Sequence, residues 1–361
     1  MTMTLTEAGR WLMFESIMWK YMGEERKLLS DLIEKEEIKN KIRQIDGTRS
    51  IYFVAHGSSY NAAMSIAPFI TRLTGIRTYV YTPSNFRYNA ISIDEEDKAY
   101  TRVLGISQTG TSRGVLEALE DAKAKGYGII GITAVKDSPL EKLSDVTLDL
   151  CCGNEDSNAK TKGYSSTLVL LMMIGIELSR SIDKASYYDE LKEEISKLDE
   201  VRDDTIRWCE EHRYGIGMEN LYVIGNGMNF ASAMEGQLKV METMCIPTMF
   251  NDIEEFSHGM HRSLNERSYV LLLNAGCDQE LVEKTRDYLE EKKIRVLEIN
   301  GEKKVDRENV INVGHYPKTA SLLAIIMAIQ AISAFVPEIN GLDPNRNANN
   351  DYTDFVETRV G

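Results

Sequence analysis

Cysteine is scarce in this 361-residue chain, with five residues at 151, 152, 209, 245 and 277. An odd count, no CxxC pair and no framework spacing speak against a disulfide-stapled fold and for reduced thiols in a cytoplasmic setting. Positive charge is also short. With 42 basic against 56 acidic residues the net charge is −14, so the summed field repels polyanions and no nucleic-acid or membrane-surface partner is expected. A small anionic ligand stays compatible with that field, because local backbone dipoles can hold a phosphate. Uninterrupted apolar runs of eighteen residues are missing as well. The N-terminal MTMTLTEAGRWLMFESIMWK has no basic segment followed by a continuous apolar core, so neither a signal peptide nor a membrane span is expected.

Several catalytic and nucleotide motifs are absent too. There is no GxxxxGK[ST], and Gly225-Asn226-Gly227 lacks the third glycine of a dinucleotide fingerprint, Phe230 standing in its place. No GxSxG elbow and no HExxH zinc pattern occur, and HxxH at His258 and His261 lacks a third placed ligand. Neither a metal nor an organic cofactor is expected.

What is present is a rhythm. A chain of this length suits two domains, and short β-branched runs alternate with helical patterns: SIYFVAHG at 50, TYVYT at 78, RVLGIS at 102, YGIIGITA at 127 and VTLDL at 146. That alternation implies a parallel sheet covered by helices. The text turns charged and helical up to Arg213, then the rhythm restarts with NLYVIGNG and SYVLLLNAG. The restart is also a repeat. Placing SIYFVAHGSSYNAAMS over NLYVIGNGMNFASAME matches Tyr52 to Tyr222, Gly57 to Gly227, Ala63 to Ala233 and Met64 to Met234, in the same strand, turn and helix context. The expected order is a helical lead over 1–35, a first α/β module over 36–180, a helical linker over 181–213, a second module over 214–340 and a tail over 341–361.

Ligands bind beyond the carboxyl ends of parallel strands, and three polar loops are expected there. VLGISQTGTSRG follows its strand with Ser107, Gln108, Thr109, Thr111 and Ser112, and leads into an amphipathic helix with Thr111 or Ser112 as N-cap. Capping uses one hydroxyl and leaves the others idle, so this loop is expected to hold a phosphate ester. HGSSYNAA places Ser58 and Ser59 before a second helix, where capping alone would account for them. GNEDSNAKTKGYSS brings Lys160 and Lys162 to the same sheet edge.

The second module carries the titratable groups. In AMEGQLKVMETM, Glu235, Lys239 and Glu242 share one helix face. Two readings stand open: a solvated ion-paired row, or a buried carboxylate whose desolvation makes it a proton shuttle near neutral pH. Downstream, His258 in EEFSHG reads as a loop histidine able to move protons.

In order and spacing, HGSSYNAA, GISQTGTSRG, NAKTKGYSSTLVLLMM, AMEGQLKVMET and EEFSHG resemble the double sugar isomerase (SIS) domain family. That family includes the isomerase half of glutamine:fructose-6-phosphate aminotransferase and the fructosamine-6-phosphate deglycases. The resemblance extends over residues 20–350. It implies an α/β protein of two tandem SIS modules, each a parallel sheet flanked by helices in a flavodoxin-like three-layer sandwich. It implies further that Ser107, Gln108, Thr109 and Ser112 grip a sugar phosphate, with Ser58 and Ser59 alongside. Glu242 would move the proton between C1 and C2, and His258, reached across the interface of a homodimer or higher homo-oligomer, would open the sugar ring. Glu235 and Lys239 match further polar positions of the helix, Glu255 matches the glutamate before the histidine, and Ala159 and Lys160 fall where relatives contact the sugar.

Two departures narrow the expectation. The chain runs from Met-Thr into the helical lead, where the aminotransferase has a glutaminase domain, so glutamine-derived ammonia is not expected. In the segment DPNRNANNDYTDF, Asn350 stands where the aminotransferase carries its Schiff-base lysine. The reaction that fits is one whose substrate brings its own amine: a fructosamine 6-phosphate enolised by Glu242 and hydrolysed to an aldose 6-phosphate and an amine. Isomerisation or deamination of an amino-sugar phosphate, and sensing of a sugar phosphate without catalysis, are the alternatives.

Overall fold

The computed structural model describes Thr4–Leu5, Trp11–Leu12 and residues 16–360; part of the expected helical lead over 1–35 lies outside the described residues. Ten strands build two five-stranded, all-parallel sheets. The first contains β1 (Ser50–Ala55), β2 (Arg77–Tyr81), β3 (Thr101–Ile106), β4 (Gly128–Thr133) and β5 (Val146–Asp149), in the order β2-β1-β3-β4-β5. The second contains β6 (Leu221–Gly225), β7 (Thr248–Asp252), β8 (Tyr269–Asn274), β9 (Arg295–Asn300) and β10 (Val310–Asn312), in the order β10-β9-β8-β6-β7. Counted from its own first strand, each sheet has the order 2-1-3-4-5, the flavodoxin-like doubly wound topology. The repeat seen in the sequence is therefore a repeat of fold. All six residues of β1 and of β8 are buried, as strands covered on both faces require.

The helices follow in chain order: α1 (Ile17–Ile33), α2 (Glu36–Arg43), α3 (Gly57–Thr74), α4 (Pro83–Asn89), α5 (Arg113–Ala124), α6 (Pro139–Leu143), α7 (Lys162–Leu178), α8 (Lys184–Ser196), α9 (Leu198–Glu211), α10 (Asn229–Met244), α11 (Ile253–Ser257), α12 (Gln279–Glu291), α13 (Leu322–Ile339) and α14 (Tyr352–Phe355). Every residue of α7 is buried, as expected of a helix apolar on all sides. α13 is the longest apolar segment. Its 18 residues have a mean hydropathy of 2.0, enough by length and composition to cross a membrane, yet 94% of them are buried inside the protein. Gln330 and Ser333 interrupt its apolar text, and their donors are met by Thr161 O at 3.3 Å and Ile329 O at 2.7 Å. It is a core helix, each fully buried Leu or Ile contributing about 1.5–3 kcal/mol.

The chain divides into two compact units that interleave along the sequence. The first-sheet unit comprises Lys27–Glu155, Lys162–Tyr188 and Asn347–Gly361; the second-sheet unit comprises Met1–Arg26, Asp156–Thr161 and Asp189–Arg346. The expected boundaries were contiguous, and two segments depart from them. Asp156–Thr161 lies between β5 and α7 in sequence but belongs to the second-sheet unit, and the tail from Asn347 belongs to the first-sheet unit. Short-range periodicity could not reveal either exchange, because each depends on contacts far along the chain.

Candidate active-site residues

In the first-sheet unit, the loop after β3 turns back on itself. Ser107 is buried, its N–H donates to Ile132 O at 3.0 Å, and its Oγ accepts from Gly110 N at 3.1 Å. Gly110 has φ +69°, and a Cβ there would lie 2.3 Å from Ser138 Oγ, so only glycine closes this turn. Thr109 Oγ1 and Thr111 Oγ1 are 2.9 Å apart. Ser112 holds the N-cap position of α5, but its side chain makes no capping hydrogen bond. Ser58 and Ser59 fall within the first turn of α3, whose N-cap is His56, again without a side-chain cap. Capping therefore does not employ these hydroxyls. Together with first-turn N–H groups of α3, and those of Gly114 and Val115 in α5, they remain available for an anion.

Gln108 is held differently from the expectation of a simple phosphate ligand. Its Nε2 donates to Glu155 Oε2 at 3.3 Å and approaches Cys152 Sγ at 3.6 Å, while Glu155 Oε2 also accepts Gly163 N at 3.1 Å. A Cβ on Gly163 would come within 2.6 Å of the Gln108 amide, so this glycine makes room for it. Glu155 was missed by the sequence reading, since a single acid in GNEDSNAK carries no periodic signal. The tail adds a second unforeseen contact. Arg359 forms an antiparallel bridge with Ser112, Arg113 N donates to Thr358 O at 3.0 Å, Val360 N donates to Thr111 O at 2.9 Å, and Arg113 pairs with Glu357 at 3.2 Å.

The second-sheet unit assembles the other predicted residues. Glu235 and Lys239 on α10 are both fully buried and form an ion pair of 2.6 Å. The solvated-row reading is thereby excluded, and a pair in this setting is held by Coulomb attraction against a large desolvation cost. Glu242 lies one turn further on. Its Oε2 is buried and, among the described residues, lacks a hydrogen-bond partner. Desolvation pushes its carboxyl up to about 7, with Lys239 opposing, Glu235 reinforcing and Lys160 opposing the rise. The exchanged segment Asp156–Thr161 thus brings Lys160 close enough to act on Glu242. Lys160 Nζ donates to Ser157 O at 2.9 Å, and Ser157 Oγ donates to Ala159 O at 2.8 Å, with Ala159 buried.

Two other buried carboxylates are also raised to about 7, and their surroundings separate them from Glu242. Glu194 accepts Thr319 Oγ1 at 2.6 Å and Ala324 N at 3.0 Å at the start of α13. Glu338 accepts Trp19 Nε1 at 2.9 Å and Ser16 N at 3.3 Å beside the start of α1. Both serve helix ends. Glu338 Oε2 also lacks a partner among the described residues, so what separates Glu242 is that it serves no helix end there; an acid near neutrality so placed can work as a general acid or base.

His258 sits exposed at the end of α11, where Asp252 caps Glu254 N at 2.8 Å. Among the described residues its ring makes no hydrogen bond or ion pair. Glu255 is exposed too. His261 Nδ1 lies 3.1 Å from Phe256 O, and among the described residues no group of three or more His, Cys, Asp or Glu is placed to hold a metal ion. The structure thus gathers Glu235, Lys239, Glu242, Ala159 and Lys160 in one unit, and Ser58, Ser59, Ser107, Gln108, Thr109 and Ser112 in the other.

Two parallel sheets of one topology, with polar loops at the carboxyl ends and a desolvated acid on α10, define an α/β protein of duplicated, doubly wound modules. Residues 44–176 match the family model described as SIS domain, so this part of the chain carries a SIS domain. It is 30% identical over 332 residues to glutamine–fructose-6-phosphate aminotransferase (isomerizing) of Thermotoga maritima, covering 87% of this chain and 53% of that protein. The chain spans 58%, 57% and 53% of the length of three such curated relatives. Among solved structures, the C-terminal domain of glucosamine-fructose-6-phosphate aminotransferase from Francisella tularensis has a TM-score of 0.79 at 22% identity, covering 92% of this chain and 99% of that one. Glucosamine-6-phosphate deaminase of Thermotoga maritima has a TM-score of 0.75 at 21% identity, with 92% and 98% covered. These structural likenesses show the fold.

Proposed function

We propose that this protein is a phosphosugar-processing enzyme that deglycates a fructosamine 6-phosphate. The observation carrying this reading is the buried oxygen of Glu242, without a hydrogen bond among the described residues, on a carboxyl raised to about 7 beside Lys160 and the Glu235–Lys239 pair. The phosphate end of the substrate is assigned to Ser58, Ser59, Ser107, Thr109 and Ser112, with Gln108 holding the loop in shape through Glu155. Hydroxyls and backbone N–H groups can orient a phosphate without a fixed counter-charge. Glu242 as carboxylate takes a proton from C1 of the open-chain ketosamine while the substrate's own ammonium gives up a proton that ends on O2, giving a 1,2-enaminol, and as carboxylic acid Glu242 returns its proton to C2. The product is an imine between C1 and the amine, and water cleaves it to an aldose 6-phosphate and the free amine. No electrons are gained or lost, and no enzyme amine is required. Asn350 at the position of the relatives' Schiff-base lysine agrees with that choice.

His258 is assigned to ring opening. Its exposed imidazole, without a partner among the described residues, is suited to act in a second copy of the chain, so a homodimer or higher homo-oligomer is part of the proposal. The test is incubation of the purified protein with 6-phosphorylated Amadori compounds, fructose 6-phosphate and glucosamine 6-phosphate, following free amine and sugar phosphate. Amine release from the Amadori compounds is expected. Turnover of glucosamine 6-phosphate alone would replace the deglycase reading with a deaminase, and tight binding without any turnover would replace it with a sensor.

A further inference from the structure

The segment that follows α13 makes a set of contacts that the proposed chemistry has not yet used. Arg346 is half-buried, and its guanidinium reaches the end of α10: Nη1 donates to Thr243 O at 2.5 Å and Nη2 to Met244 O at 2.8 Å, with Asp343 O a further acceptor at 3.0 Å. These are carbonyls of the last helical turn, which have no acceptor duty inside the helix, and a cation there also meets the negative end of the helix dipole. Besides this guanidinium, the end of α10 is closed by Cys245, left-handed at φ +56°, whose N–H donates to Met241 O at 3.0 Å. Glu242 sits in that turn, immediately before the two carbonyls that Arg346 holds.

Arg346 and its neighbour Asn345 also bind a second element. Asn345 Oδ1 accepts Asn158 N at 2.7 Å, and Arg346 O accepts Asn158 Nδ2 at 3.1 Å. Asn158 lies in the loop that carries Ala159 and Lys160 and is closed on itself by Ser157. Asn345 is fixed in turn by its N–H to Asp343 Oδ1 at 2.8 Å. One short segment therefore ties the last turn of a helix to this loop.

We propose that Asn345 and Arg346 are positioning residues that hold Glu242 against Lys160 by clamping the end of α10 and the Ser157–Lys160 loop to one segment. The proposal rests on the reading of Glu242 as the proton shuttle. A general base at a helix end needs such support, because the last turn frays first and a misplacement of about 1 Å can cost on the order of a hundredfold in rate. The charged groups that act on Glu242 are Lys239, Glu235 and Lys160. The first two travel with α10, while Lys160 is carried by the loop that the clamp holds.

The two arms predict opposite signatures. In Asn345→Ala the loop loses the Asn345 Oδ1 anchor and keeps only the Arg346 O arm of the clamp, Lys160 shifts away from Glu242, and the carboxyl titrates at higher pH. In Arg346→Ala the helix end opens to water, and the carboxyl titrates at lower pH. Both shifts are read by 13C NMR of the full chain labelled at glutamate carboxyls, with the Glu242 resonance assigned by its loss in Glu242→Gln. On a fructosamine 6-phosphate, each variant is expected to lower kcat by about 10-fold or more with KM little changed, and Arg346→Lys, which keeps donors at the helix end, is expected to recover most of it. If Arg346→Ala fails to fold, Asn345→Ala and Arg346→Lys carry the test. An unchanged Glu242 titration in Asn345→Ala, or in a folded Arg346→Ala, overturns the clamp whatever happens to Tm. So does an Arg346→Lys protein that folds as wild type yet loses kcat as fully as Arg346→Ala. Absence of turnover in the wild type would instead defeat the deglycase reading, while the titration would still decide the clamp.

Discussion

Replacing Glu242 by Gln should raise stability at alkaline pH while removing turnover. The folded protein keeps this carboxyl protonated up to about pH 7, whereas the unfolded chain releases the proton near 4.5. Between those values the native state binds more protons than the unfolded state, so stability falls as pH rises through this window and stays low above it. At about 1.4 kcal/mol per pH unit, the displacement corresponds to roughly 3 kcal/mol at most. Glutamine has nearly the same shape and never charges, so Glu242→Gln escapes that cost. Its advantage over wild type should be close to zero at pH 4.5 and about 2–3 kcal/mol at pH 8.5. For a unit of this size each kcal/mol moves Tm by about 2–4 °C, so calorimetry at the two pH values should show the gap widening by roughly 5–10 °C. Glu194 and Glu338 are also raised to about 7, but they are present in both proteins and cancel in the difference. A Tm gap that is the same at both pH values would refute the argument that Glu242 is charged at a desolvated site.

Because the carboxylate is the form that removes the C1 proton, kcat should climb with pH through a midpoint near 7, the value to which burial raises Glu242; a pH-rate profile with its acidic limb near 4.5 would contradict the assignment. Ser107→Ala removes a buried hydroxyl from the phosphate loop and should weaken sugar-phosphate binding about 5–10-fold with kcat nearly unchanged, as measured by titration calorimetry and steady-state rates. Glu235→Gln removes the carboxylate that pairs with Lys239 in the core and should cost about 3–5 kcal/mol in denaturant unfolding, while the double replacement Glu235→Leu with Lys239→Met should cost less than this single change. Gly110→Ala must place a Cβ 2.3 Å from Ser138 Oγ at a positive φ, so a loss of about 1–3 kcal/mol is expected; wild-type Tm and phosphate affinity would show that the turn is not needed in this form.

Much of the frame was already legible in the sequence. The strands at 50, 78, 102, 127 and 146, the helix after SQTGTS, the helix carrying Glu235 to Glu242 and the repeat between the modules were all readable, because alternation and helical spacing are local signals. The strands Thr248–Asp252, Arg295–Asn300 and Val310–Asn312 were not singled out. Each borders text dominated by charge or short loops. The apolar α13 was readable as apolar, but only burial distinguishes a core helix from a membrane-crossing one.

Sequence spacing by itself determined which residues share the α10 face and which polar residues follow which strand. Tertiary structure alone decided that Glu235 and Lys239 are a dry ion pair and not a solvated row, because desolvation is set by what packs over a face and not by the face itself. It also decided that Asp156–Thr161 joins the second-sheet unit, where Lys160 acts on Glu242, that Val360 and Arg359 pair with the Thr111–Ser112 loop, and that Arg346 caps the helix bearing Glu242. Each of these joins residues about 80 to 250 positions apart. Such contacts exist only once the chain has closed its long loops, and no local pattern of residues encodes them.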